Sequence, residues 1–201
     1  MQHFGEVAMT VFSFPSFIMH DCVFVLIPND GQVSKHVARA LAPFADDLHV
    51  SPYKVYQRHF EIRAMARHYN LEQTELKKLA TLMEDWQNEL GGIDERGLFS
   101  ISTANPNAQW DWYEIGGRYQ DHLPGNIQLS ERLLSRSDLK SLLPDVIITP
   151  DGIWHERETF ITTSWTEGRF VAKLDRDWLK EVREALGHYP TYRVVCVDVH
   201  S

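Results

Sequence analysis

Tyr192–His200, YRVVCVDVH, is the stretch on which the fold reading turns. Strand side chains alternate faces, so Cys196, Asp198 and His200 line one face and Val195, Val197 and Val199 the other. A carboxylate among valines is costly unless something pairs with it. The second decisive run, Cys22–Ile27 (CVFVLI), is stopped by Pro28-Asn29-Asp30-Gly31 and reads as a central strand followed by a turn.

Between these two strands the pattern alternates between helical and extended periods. Val33, Val37, Ala40 and Leu41 fall at helical spacing, with Pro43 at the exit. A second helix is expected from Tyr53 to Tyr69. A third starts at an Asn70 cap, carries Leu76, Leu79, Met83, Trp86 and Leu90 as its stripe, and ends at Gly91-Gly92. Leu98–Thr103 and Asp145–Thr149 read as strands. Thr149-Pro150-Asp151-Gly152 supplies turn chemistry, so Ile153–Glu156 should return as a hairpin partner. A short helix is expected over Ser137–Leu143, and a longer one from Asp175 to Leu186 with Trp178, Val182, Ala185 and Leu186 inward. With the helices at about 54–90 set aside as an insertion in the first crossover, the order is strand, helix, strand, strand, helix, strand. That order predicts an α+β fold with a ferredoxin-like, split β-α-β antiparallel sheet. A mixed sheet of different strand order is the competing architecture.

At 201 residues the chain suits one domain with an elaboration. The expected division is a single α+β domain over 19–201, with 1–18 as an extension outside the core. That opening segment is Phe-rich but has no basic stretch and carries Glu6, which makes a poor signal peptide. The formal net charge of −8 disfavours a broad polyanion-binding face but leaves room for a local Arg pocket, and it suits a basic protein partner. Cys22 and Cys196 sit in apolar strands and read as buried free thiols of a reducing compartment, which points to the cytoplasm. No apolar run approaches the length of a membrane span, so no membrane partner is expected.

In the expected sheet the first and last strands are antiparallel neighbours. His20, Asp21, Asp198 and His200 then converge on one sheet edge, Asp198 and His200 being about 7 Å apart at their Cα atoms from a rise of roughly 3.3 Å per residue. The Pro150–Gly152 turn should share that edge, bringing His155 and Glu156 near. His155, Asp198 and His200 are therefore the candidate catalytic residues, as acid and base. His20, Asp198 and His200 are weak metal-ligand candidates. No cofactor is implied, and HExxH, paired CxxC, GxSxG and phosphate-loop patterns are absent from the sequence. The opposing reading makes the terminal histidines solvated, and Trp154 a core residue beside two solvated polar ones.

Residues 105–119, NPNAQWDWYEIGGRY, crowd two tryptophans, two tyrosines, Asp111, Glu114 and Arg118 around Gly116-Gly117. Three uses compete for Trp110, Asp111, Trp112, Tyr113 and Arg118. Trp110 or Trp112 could stack a base while Arg118 holds a phosphate. The set could instead be a protein-binding hot spot. Or Trp110 and Trp112 could plug the core while Arg118 satisfies Asp111 or Glu114.

Four segments resemble an uncharacterised family of small bacteriophage and prophage proteins. They are Ala42-Pro43-Phe44-Ala45-Asp46; Asn105 to Tyr119, where Tyr119 stands for the family's Trp; Thr149 to Glu156 (TPDGIWHE); and the final Val197-Asp198-Val199-His200. The chain is shorter than the family between Tyr119 and Asp145. The resemblance implies a genomic setting rather than a mechanism. It leads to a phage-type accessory protein that binds and inhibits a host protein such as a defence component, in an anti-CRISPR-like or other anti-defence role. The alternatives are a small His/Asp-dependent hydrolase, and a nucleotide or nucleic-acid binder stacking bases on Trp110 or Trp112.

Overall fold

The computed structural model describes residues 20–162 and 168–200; the expected extension at 1–18 lies outside the described residues. Eleven strands are described: β1 (His20–Ile27), β2 (Tyr53–Tyr56), β3 (Gly91–Asp94), β4 (Gly97–Ser102), β5 (Trp112–Ile115), β6 (Ile127–Leu129), β7 (Val146–Ile148), β8 (Trp154–Glu156), β9 (Glu158–Thr162), β10 (Gly168–Ala172) and β11 (Arg193–His200). The α-helices are α1 (Val33–Leu41), α2 (His59–His68), α3 (Leu76–Thr81), α4 (Met83–Gln87), α5 (Ser130–Leu134) and α6 (Asp175–His188). No helix among the described residues is long and apolar enough to cross a membrane.

The protein is α+β with a mixed sheet, in which the strands run β5-β11-β1-β7-β8 and β6 also pairs with β11. β1 and β11 are antiparallel over their whole lengths, from His20 opposite His200 to Ile27 opposite Arg193. Both faces of this pair are covered. Cys22, Phe24, Leu26, Val194 and Cys196 pack with Leu123, Leu133 and the α6 side chains Trp178, Val182 and Leu186. Val23, Val25, Ile27, Val195, Val197 and Val199 pack with Val37 and Leu41 of α1. The inward stripe expected for α6 is buried at Trp178, Val182 and Leu186, and the Trp178 indole N–H donates to the Pro144 carbonyl at 2.7 Å.

The split antiparallel topology is not the one observed. β7 lies beside β1 in parallel, Val23 to Val25 facing Val146 to Ile148, so this β-α-β unit is unsplit. The hairpin expected after β7 is present, with β8 as the outer strand. All three β7 residues are buried, the usual condition of a parallel strand covered on both faces. Gly97–Ser102 leaves the main sheet altogether and forms the middle of a separate three-stranded sheet, β2-β4-β3. Tyr53–Tyr56 is accordingly a strand rather than the start of a helix.

The expected long helix after Asn70 is broken into α3 and α4. Asn70 sits in the left-handed region, φ 52°, just past the end of α2, and Asn88, φ 59°, stops α4. Gly91-Gly92 is therefore the start of β3. Gly91 lies so close to the helices that an added Cβ would stand 2.3 Å from the Ala80 carbonyl oxygen and 2.3 Å from Met83 Cγ. Met83, Leu79 and Leu98 form the buried centre of this smaller unit with Met65 and Ala66. Gly91→Ala is expected to destabilise the protein by about 1–3 kcal/mol through overpacking, seen as a lower denaturation midpoint. Unchanged stability would show that β3 does not need this close approach.

Candidate functional site

Asp198 is the buried carboxylate of β11, and its partners come from two places, β1 and the segment that follows β5. Across the register, the Nδ1–H of His20 donates to Oδ1 at 2.7 Å. The Arg118 backbone N–H donates to Oδ2 at 3.0 Å, and the Arg118 Nε lies 3.5 Å from the same oxygen. A carboxylate can only accept, which places the His20 hydrogen on Nδ1 and leaves Nε2 as its free nitrogen. Gly117 makes the approach of Arg118 possible. Its φ is +48°, and a Cβ there would stand 2.4 Å from Asp198 Cβ. The chain reaches this position because β5 and β6 pair with the two halves of β11, leaving Gly116–Asn126 to cross between them. On that crossing Tyr119 donates its hydroxyl to the His20 carbonyl at 2.6 Å, and burial pushes the Tyr119 phenol up to about 12.

A second imidazole–carboxylate pair lies beside the first. The Nδ1–H of His200 donates to Asp111 Oδ1 at 2.5 Å, and the Asp111 backbone N–H returns to the His200 carbonyl at 3.2 Å. The rings of His20 and His200 meet edge to face with centroids 5.1 Å apart, and Trp112 stands 6.3 Å from His20. Trp112 is 48% exposed, whereas the aromatic residues on either side of it in the motif, Trp110 and Tyr113, are half-buried. Trp110 packs on the α1 side of the sheet and donates its indole N–H to the Leu41 carbonyl at 2.9 Å. Tyr113 packs on the same side, its ring 5.1 Å from that of Trp110. Trp110 is thus a plug, as one reading had it, and Trp112 is not. Asn105 is an anchor as well, its Nδ2 donating to the carbonyls of Pro43 and Ala45 at 2.9 and 2.8 Å.

Of the four residues expected to converge, His20, Asp198 and His200 come together while Asp21 points to the opposite sheet face, and Asp111 and Arg118 of the aromatic segment join the three. Arg118 bonds to Asp198, in place of the expected Asp111 or Glu114. His155 does not join. It faces Ile147 on β7, which faces Phe24 on β1, which faces Cys196 on β11. Three strand spacings, about 14 Å, separate it from β11. Because β7 runs parallel to β1, the Pro150–Gly152 turn also lies at the opposite end of the sheet from His20. His155 instead lines a cleft of about 390 Å³ with Thr149, Glu181, Glu184 and His188. Among the described residues no three His, Cys, Asp or Glu side chains are grouped as metal ligands. Each site imidazole is already committed through Nδ1 to its own carboxylate. The two cysteines are free and buried, with their sulfurs 3.6 Å apart, and the Cys196 contact together with burial pushes the Cys22 thiol up.

Sequence alternation could find Asp198 and His200, and the antiparallel pairing could add His20. Asp111 as the partner of His200, Gly117 as the cradle of Asp198 and Tyr119 as a clamp on His20 depend on the path from β5 to β6, which has no periodic signal. Of the sequence segments Ala42–Asp46, Asn105–Tyr119, Thr149–Glu156 and Val197–His200, the second and the last meet here. The Ala42–Asp46 step is held by Asn105 on the other face. Comparison of the chain with protein-family models, with curated proteins and with solved structures finds no match.

Asp21 borders the site on the opposite sheet face. Burial is the main cause that raises its carboxyl from 3.8 to about 6, with Asp145, Glu158 and Glu156 adding and His20 opposing. Between these two values the native state holds a proton that the unfolded chain has lost, so stability falls as pH rises through the interval. Asp21→Asn should therefore stabilise the protein at about pH 7.5 by about 1–2 kcal/mol, after discounting for solvent screening, and change little at about pH 4. Urea denaturation at both pH values measures it, and an equal effect at the two would contradict the assignment.

Proposed function

We propose that the protein is a small acid–base hydrolase whose working groups are the imidazoles of His20 and His200. The observation that carries this reading is two histidines with ring centroids 5.1 Å apart, each held at Nδ1 by its own carboxylate. An aspartate at Nδ1 fixes the tautomer and orientation of the ring and stabilises the imidazolium when it forms, so Nε2 is the nitrogen that moves a proton. Asp198 and Asp111 are thus positioning residues. His155, remote from both imidazoles, has no part in this chemistry. The proposed chemistry draws on the imidazoles alone and needs no bound cofactor.

His20→Ala and His200→Ala should each lower turnover of a panel of activated esters and phosphodiesters by about 100-fold or more, the usual contribution of a positioned acid or base. Circular dichroism should stay native and chelators should have no effect. An inert wild-type protein across the panel, or variants as active as wild type, would overturn the reading.

A second reading is favoured by two exposed side chains, Trp112 and Arg118. Trp and Arg in such a setting are the residue types that dominate protein interfaces. With the resemblance to phage and prophage proteins, this supports an accessory protein that engages a basic host protein, for example an anti-defence inhibitor acting in the host cytoplasm. Here Trp112→Ala or Arg118→Glu should abolish co-purification of the host protein while His20→Ala preserves it. The reverse pattern would reject a binding role for this surface. A base-stacking role falls to Trp112 alone, since Trp110 is occupied by the core.

A further inference from the structure

We infer that the substrate of this site is a single ribonucleotide phosphodiester with a free 2′-hydroxyl, on the scale of a dinucleoside monophosphate; the inference rests on the acid–base reading above. Four features of the surface carry it. The paired imidazoles supply one group to remove a proton and one to return it. Neither is hydrogen-bonded to a hydroxyl or thiol among the described residues, so the arrangement suits a substrate that brings its own nucleophile. Arg118 meets Asp198 through its backbone N–H and Nε, and its side chain is 56% exposed, so the outer edge of the guanidinium can grip a phosphate oxygen. Trp112 lies on β5 opposite His200 and offers an exposed indole beside both imidazoles, the kind of surface on which a base stacks.

Charge sets the size of the substrate. The chain carries a net charge of −8, and Asp111 and Glu114 are exposed next to Arg118 and Trp112. One arginine matches one phosphate, whereas a long polyanion would be repelled. A short linkage with one phosphate at the reacting centre is what this surface can hold.

The chemistry then balances without a co-reactant. One imidazole, neutral at Nε2, takes the proton of the 2′-hydroxyl as that oxygen bonds to phosphorus. The P–O5′ bond breaks with its electron pair going to O5′, which receives the proton of the other imidazolium. The products are a 2′,3′-cyclic phosphate and a 5′-hydroxyl. Hydrolysis of the cyclic phosphate follows with the two imidazoles in exchanged roles and water in place of the 5′-hydroxyl.

The test uses the full chain with uridylyl-(3′,5′)-adenosine and its 2′-deoxy analogue, products being read by mass spectrometry, alongside the ester and phosphodiester panel. Expected is conversion of the ribonucleotide to the cyclic phosphate and adenosine, with no reaction of the deoxy analogue. His20→Ala and His200→Ala should each lose about 100-fold or more of that rate. Trp112→Ala and Arg118→Ala, both at exposed positions, should raise KM more than they lower kcat. An active panel with an untouched dinucleotide overturns the substrate class alone. Equal cleavage of the deoxy analogue overturns the 2′-hydroxyl mechanism. Inertness toward both overturns the acid–base reading together with this one.

Discussion

The register of β1 against β11 is the constraint on which the rest of this molecule depends. The pair is buried on both faces, by α6 and α5 on one side and α1 on the other. Strand side chains have a period of two, so slipping the pair by one residue would turn the valines 195, 197 and 199 into the places of Cys196 and Asp198. The register that fills both cores also places His20 opposite His200 and beside Asp198. Core and candidate site are thus one object, and neither can shift without the other.

This coupling explains which parts of the site were legible in the sequence. Alternation along Tyr192–His200 is local and strong, and it puts Asp198 and His200 on one face with no knowledge of the fold. Pairing with the first strand adds His20. The place of His155 depends on strand order, which no local pattern encodes. Thr-Pro-Asp-Gly specifies the turn after β7, but the end of the sheet at which it lies follows from the parallel β1–β7 pair. Val146-Ile147-Ile148 is apolar at every position and signals only burial, so either direction fits its pattern. Gly97–Ser102 shows the same limit. Its alternation says strand, and nothing in it says that its partners are β2 and β3 rather than the main sheet.

The aromatic segment divides along the same physical line. In β5, Tyr113 and Ile115 face the α1 side with the preceding Trp110, while Trp112 and Glu114 face the other. One run of sequence is therefore both a core plug and an exposed surface, and competing uses for the whole segment were bound to be partly right. The Gly116-Gly117 pair ends the strand at the place where β11 changes partner from β5 to β6. That break frees the Arg118 amide to turn toward Asp198, and a side chain at position 117 would occupy the space of that carboxylate. The glycines belong to the electrostatics of the site as much as to its backbone.

Asp198 itself argues for a role beyond holding the sheet together. Its side chain is only 4% exposed, and desolvating a carboxylate there costs several kcal/mol, of which hydrogen bonds to a charged acceptor return about 1.5–3 kcal/mol each. Apolar residues on the same strand show what the cheaper solution looks like, since Val194 and Cys196 fill the same face without any such debt. Replacing buried ion pairs by well-packed apolar residues is often neutral or stabilising, so stability alone gives little reason for Asp198 and His20. What the pair supplies is orientation: the Asp198 contact holds one imidazole on a strand pair covered on both faces, and the Asp111 contact holds a second beside it. Proton transfer depends on groups set in place before the substrate arrives, and these imidazoles are mounted on a strand pair buried on both faces.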